Sequence, residues 1–176
     1  MNDLFEKTAA SVEIYKGKII TVKRDEVLLN NDKQVYREVV EHLDGVAVAA
    51  EIDEKILMVK QFRYPAKKIL YEIPAGKLDT AGEDILLAAK RELEEETGYI
   101  AKKWQSLGYI WSSPGFCTER IHLFKASDLS YKGQHLDEDE FLDFELIEKN
   151  KILDMIGQNI ICDAKSVAAI MKAYKL

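Results

Sequence analysis

The chain has 176 residues, 47% of them apolar, and a formal net charge of −6. That length suits one domain with a real hydrophobic core, and an acidic balance without a Lys/Arg block excludes a phosphate-tracking nucleic-acid surface. No apolar run reaches the roughly 18–20 residues of a membrane span, and the opening MNDLFEKTAASVEIYKGK lacks an apolar signal core, so a cytoplasmic protein without a membrane partner is expected. Cys117 and Cys162 stand far apart without a CxxC spacing, which predicts reduced thiols rather than a disulfide or zinc framework.

Residues 11–15 and 18–23 read as strands about Gly17. Residues 27–29 and 35–42 flank a turn at 30–33, Asn-Asn-Asp-Lys. Residues 45–51 and 55–61 form an expected hairpin with Asp53-Glu54 at its tip, and 69–73 a short strand stopped by Pro74. One strong helix follows over about residues 83–97, with Leu86, Ala89 and Leu93 at helical spacing and Gly98 as its C-cap. Strands resume at 101–111, 120–126 and 141–147, and two helices are expected near 148–157 and 163–174. Trp104 and Trp111 are expected in the core. His42, His122 and His135 show neither HExxH nor triad spacing and read as structural. Strands, one embedded helix, more strands, then helices make an α+β pattern, with the helix packed on a mixed sheet.

That helix crowds Glu92, Glu94, Glu95 and Glu96 into five positions. Two carboxylates about 5 Å apart repel by roughly 3 kcal/mol at an effective dielectric near 20. On a helix, Glu92 shares a face with Glu95 and Glu96, and Arg91 with Glu95. Such a cluster supplies the oxygen ligands that a hard divalent cation such as Mg²⁺ takes, and a metal held there could grip phosphate oxygens of an anionic substrate. The plainer alternative is a solvated charged face with ordinary ion pairs.

The segment around it carries a recognisable spacing. Gly76 lies in IPAGK, Glu83 stands eight residues before Arg91, and the run continues Arg91, Glu92, Leu93, Glu95, Glu96, Gly98, Tyr99. This resembles the Nudix box, G-x5-E-x7-REU-x-EE-x-GU, with one departure: six residues rather than five separate Gly76 from Glu83. A loop absorbs one residue at small entropic cost. The resemblance implies a Nudix fold, an α/β/α sandwich around a mixed β-sheet, preceded here by a β-rich segment; residues 1–42 are expected to form that segment and 43–176 the Nudix domain. It also implies roles. Glu92 and Glu96 are the principal ligands of Mg²⁺, for which Mn²⁺ could substitute. Glu95 joins them directly or through water, the Ala75 carbonyl adds a ligand, and a Glu83–Arg91 pair orients the cluster.

The box implies hydrolysis of a nucleoside diphosphate linked to another moiety. Pro114, in SSPGF, falls sixteen residues after Gly98, a spacing similar to that of ADP-ribose pyrophosphatases. The resemblance to the bacterial members extends through YKGKII, VKQFRYP, YEIPAGK, LDEDEF and DAKS. It implies Mg²⁺-dependent cleavage of ADP-ribose to AMP and ribose 5-phosphate. The alternatives are a nucleotide-sugar pyrophosphatase and a Nudix-like module that senses ADP-ribose without cleaving it. By the same resemblance a loop glutamate acts as base: Glu140 of LDEDEF aligns best, Glu138 second, and Glu95 is next in line. Arg63 is the candidate for the diphosphate, because a guanidinium matches phosphate oxygens in a fork. Glu72, Pro114 and Gly115 are further candidates for the substrate site. Related enzymes build part of the adenine slot from a partner's N-terminal strands, so a homodimer is expected, with Tyr15, Arg24 and Arg37 as candidates. Cys117, one residue past Phe116, is placed near the site without a nucleophilic role.

Overall fold

The computed structural model describes residues 4–134 and 141–174. The chain divides into two units, Met1–Leu43 with Trp111–Glu119, and Asp44–Ile110 with Arg120–Leu176.

The first unit is a three-stranded antiparallel sheet in the order β1 (Lys7–Lys16), β2 (Thr21–Leu28), β3 (Gln34–Glu41). Leu28 faces Gln34 across the expected turn, where Leu29 N–H donates to Lys33 O at 2.9 Å and Asp32 adopts φ 60°. The sequence reading set 18–23 and 27–29 apart, with Arg24, Asp25 and Glu26 in neither strand. β2 is in fact continuous: it is central in its sheet, so ladders on both sides satisfy its backbone. Its charges find cross-strand partners, Ser11 Oγ donating to Asp25 at 2.6 Å and Lys23 reaching Glu41 at 2.6 Å. The segment after Trp111 joins this unit through β3, with Val40 N–H donating to Phe116 O and Thr118 N–H to Val40 O. Trp111, expected in the core, is 48% exposed. It ends its strand at the start of this added segment rather than over a helix.

The second unit carries a mixed sheet in the order β10 (Leu142–Glu148), β5 (Lys55–Arg63), β4 (Gly45–Ile52), β9 (Arg120–Tyr131), β8 (Tyr99–Trp111). β6 (Lys68–Glu72) pairs with β5, and β7 (Ala75–Lys77) with β4. β4 runs parallel to β9, Gly45 facing Ile121. On its other side β4 changes partner midway: Gly45, Val46 and Ala47 face Lys77, Gly76 and Ala75, whereas Glu51 and Ile52 face Ile56 and Lys55. Asp53 and Glu54 make the tight hairpin expected of them, both at positive φ.

Side chains on a strand alternate between faces, and β4, buried from Gly45 to Ala50, serves two cores. Ala47 and Ala49 pack with Ile152 and Met155 of α2 (Lys149–Gly157) and Ala169 and Ile170 of α3 (Ala164–Tyr174). Val46, Val48 and Ala50 pack with Ala88, Ala89 and Leu93 of α1 (Ile85–Thr97). Helices therefore cover both faces. Trp104 packs edge-on to Phe124 beside the second core. Among the described residues no helix is long and apolar enough to cross a membrane.

Candidate functional site

α1 is started by Asp84, whose carboxylate accepts from the Leu86 and Leu87 N–H groups, and ended by Gly98 at φ 73°, whose N–H donates to Glu94 O. The stripe of Ala89 and Leu93 turns toward β4. Because Glu92 and Glu96 share that side of the helix, they are buried with it, at 8% and 3% exposure. They lie against β7, the three-residue strand that the sequence reading missed. β7 has no β-branched signal of its own; it exists because the first half of β4 needs a ladder partner.

β7 sets the geometry. Ala75 N–H donates to Glu96 Oε2 at 3.0 Å. A Cβ on Gly76 would fall 2.1 Å from Glu92 Cδ, so only glycine leaves room for that carboxylate. The loop from Gly76 to Glu83 accommodates its extra residue by folding on itself: Glu83 N–H donates to Thr80 O, Asp79 N–H donates to Glu83 Oε2 at 2.7 Å, and Gly82 turns at φ 103°.

Arg91 stands in the middle of the acids. Its Nη1 lies 2.8 Å from Glu92 and 3.1 Å from Glu95, and its Nη2 3.5 Å from both Glu83 and Asp79. Partial burial opposes its charge, but Glu92, Asp79 and Glu95 outweigh this and push its pKa further up. Four carboxylates thus share one guanidinium. Among the described residues no three acidic, His or Cys side chains already converge as a metal cage. The donor set nonetheless suits a hard divalent cation: carboxylates of Glu92, Glu95 and Glu96 beside the Ala75 peptide, in a surplus of negative charge that a cation would relieve.

A second cluster joins β5, β6 and α3. Glu72, 1% exposed, receives Arg63 in a fork at 2.7 and 2.8 Å, and also Lys165. Burial pushes the Glu72 carboxyl up, but Arg63 and Lys165 together hold it below its usual range. Arg63 is in turn raised, chiefly by Glu72, with Glu96 and Asp163 adding to it. The two clusters therefore feel each other.

A family model, the NUDIX domain, matches residues 41–167. The chain belongs to the Nudix family. It is 44% identical over 173 residues to an ADP-ribose pyrophosphatase of Bacillus subtilis (strain 168), covering 97% of this chain and 93% of that one. It is 44% identical over 174 residues to a methanol dehydrogenase activator of Bacillus methanolicus, covering 97% and 94%. A crystal structure of an ADP compounds hydrolase superposes with TM-score 0.87 at 18% identity, covering 97% of this chain and 92% of that one, so the Nudix fold is shared.

The structure of this Nudix chain brings together Glu83, Arg91, Glu92, Glu95, Glu96 and Ala75 on one side, and Arg63 with Glu72 on the other. Pro114 and Gly115 lie in an exposed turn of the first unit, closed by Phe116 and Cys117 N–H groups on Ser113 O. In the same unit Arg37 is engaged by Glu6 at 2.6 Å, Arg24 stacks 5.1 Å from the centre of the Tyr36 ring, and Tyr15 is exposed. Cys117 pairs there with Val40. Glu138 and Glu140 lie outside the described residues. His122 is held by Asp44 at 2.9 Å and His42 stands 3.5 Å from Glu119. Sequence reasoning missed Asp79 and Lys165. DAKS gave Lys165 a motif but not the partner ninety-three residues away.

Proposed function

We propose that this Nudix protein is an ADP-ribose pyrophosphatase, hydrolysing the diphosphate of ADP-ribose to AMP and ribose 5-phosphate. The observation that carries it is the acid surplus around Arg91, four carboxylates from α1 and the loop before it, with Glu92 buried over Gly76. The full-length similarity to the Bacillus subtilis enzyme of that name supports the substrate.

Glu92 and Glu96, with Glu95 and the Ala75 carbonyl, would hold Mg²⁺, with Mn²⁺ as a substitute; the ion would neutralise the diphosphate and acidify the attacking water. Arg91 keeps the helix carboxylates apart and oriented. Arg63 would offer the diphosphate the N–H groups that Glu72 does not take. Glu140 takes the proton of the attacking water as its oxygen bonds to phosphorus and the bridging P–O bond breaks. Glu140→Gln is expected to lower kcat by roughly 10²- to 10⁴-fold with little change in KM, and Glu138→Gln to do less. Wild-type kcat in Glu140→Gln with loss in Glu138→Gln would exchange the two; retention in both points to Glu95.

The substrate is tested by a hydrolysis panel with Mg²⁺ across ADP-ribose, nucleotide sugars, NADH and diadenosine compounds. ADP-ribose should give the highest kcat/KM. A nucleotide sugar ahead of it would move the chain to that substrate class, and no turnover of any would make it a binding module. The protein is further proposed to be a cytoplasmic homodimer in which the β1–β3 sheet contributes Tyr15, Arg24 and Arg37 to adenine binding. All ten residues of β1 are exposed, Val12 and Ile14 among them, which supports a covered sheet. Sedimentation as a 20.1 kDa monomer at micromolar concentration would rule it out.

A further inference from the structure

Lys165 sits in the first turn of α3, where a cation opposes the helix dipole. Two carboxylates account for its place. Its Nζ bonds Glu72 Oε2 and lies 3.0 Å from Asp163 Oδ1. Asp163 in turn accepts from the Ser166 N–H at 2.9 Å and the Ser166 hydroxyl at 2.5 Å, and that fully buried hydroxyl accepts from Ile73 N–H at 2.9 Å. The start of α3 is therefore pinned to the strand end that leads, through Pro74, into Ala75 and Gly76.

Glu72 thus has two cations and Arg63 has one buried partner. Two of the five guanidinium N–H groups, on Nε and Nη2, go to Glu72, and the side chain is 40% exposed. We propose that Lys165 is a positioning residue for diphosphate binding: it offsets the charge of the buried Glu72, so that Arg63 is oriented by that carboxylate while its own positive charge and its remaining N–H donors serve the substrate. This rests on the reading of Arg63 as the diphosphate anchor. Without Lys165, Glu72 and Asp163 bear on Arg63 alone, and the region gains one negative charge where a dianionic diphosphate must approach.

The test measures kcat and KM on whichever diphosphate compound of the panel the wild type cleaves fastest, so a wrong substrate assignment does not touch it. Lys165→Met is expected to raise KM about tenfold with kcat within about threefold of wild type, and Lys165→Arg to restore KM. In a Glu72→Gln background, whose amide oxygen still accepts from Arg63, the same Lys165→Met change should move KM less than about twofold, because the charge it neutralises is gone. Should Lys165→Met not fold, Lys165→Gln, which keeps a hydrogen bond to Glu72 without the charge, carries the same expectations. An unchanged KM in the single variant overturns the proposal. So does a KM effect undiminished in the Glu72→Gln background, or a loss confined to kcat.

Discussion

The two ends of β4 both carry partly buried carboxylates, and they differ in how those charges are balanced. At the Ile52 end, Glu51 and Glu54 meet Lys149, and Glu51 also meets Lys125 at 3.0 Å. The two lysines lie 4.6 and 5.0 Å from the Tyr174 ring centre, and burial together with Glu51 pushes the Tyr174 hydroxyl up. Glu51 and Glu54 thus match Lys125 and Lys149 one to one, beside a cleft of about 500 Å³ whose lining also includes Asp53 and Asp128. At the Gly45 end, Asp79, Glu83, Glu92 and Glu95 share Arg91. Burial and acidic residues occur at both ends. What sets the Gly45 end apart is that four carboxylates share one guanidinium.

The largest difference between the two ends is expected at the helix glutamates. Glu92→Gln and Glu96→Gln should each lower kcat by at least about 10²-fold at saturating Mg²⁺, while melting by circular dichroism stays level or rises as repulsion is relieved. Glu51→Gln should leave kcat within about twofold. Wild-type turnover by either helix variant would remove the metal-ligand assignment, and a comparable loss in Glu51→Gln would erase the distinction between the ends.

Gly76→Ala should act on function and fold together. The added methyl displaces Glu92 or shifts β7, at a cost of roughly 1–3 kcal/mol in unfolding free energy and a fall of about tenfold in kcat, since a small misplacement at a site is amplified in rate. A urea melt and an assay at saturating substrate measure the two, and an unaltered pair of values would mean that the close approach does not constrain Glu92.

The smallest effect is at the matched end. Lys149→Met should cost about 1–2 kcal/mol of stability without changing kcat. Burial raises the Glu51 carboxyl, but Lys149 and Lys125 outweigh it, and the group sits below its usual 4.5. Its stabilising contribution is therefore present above that value and is lost as pH falls through the lower folded value. Wild-type Tm should hold from pH 7 to about 5 and drop on further acidification, and Lys149→Met should show a shallower acid loss. Parallel acid limbs would place the wild-type acid sensitivity in other carboxylates, such as Asp44 or Glu72, which are held low as well.

The sequence by itself determined the elements whose signals are local. α1 was legible because Ala89 and Leu93 repeat at helical spacing and Gly98 supplies a left-handed cap; the same spacing put Glu92 and Glu96 on one face. The Asp53-Glu54 hairpin and the turn after β2 were legible for a similar reason, since residues adjacent in the chain decide them. Only the tertiary structure decided the rest. β7 is a strand because β4 needs a partner there, and β2 is continuous because it is bordered on both sides. That Glu92 is buried over Gly76, and that Lys165 reaches Glu72 across ninety-three residues, depends on which strands and helices pack together. Pairing of distant segments leaves no periodicity in either segment, and the charge surplus at one end of β4 appears only once each carboxylate has been set beside the cations within its reach.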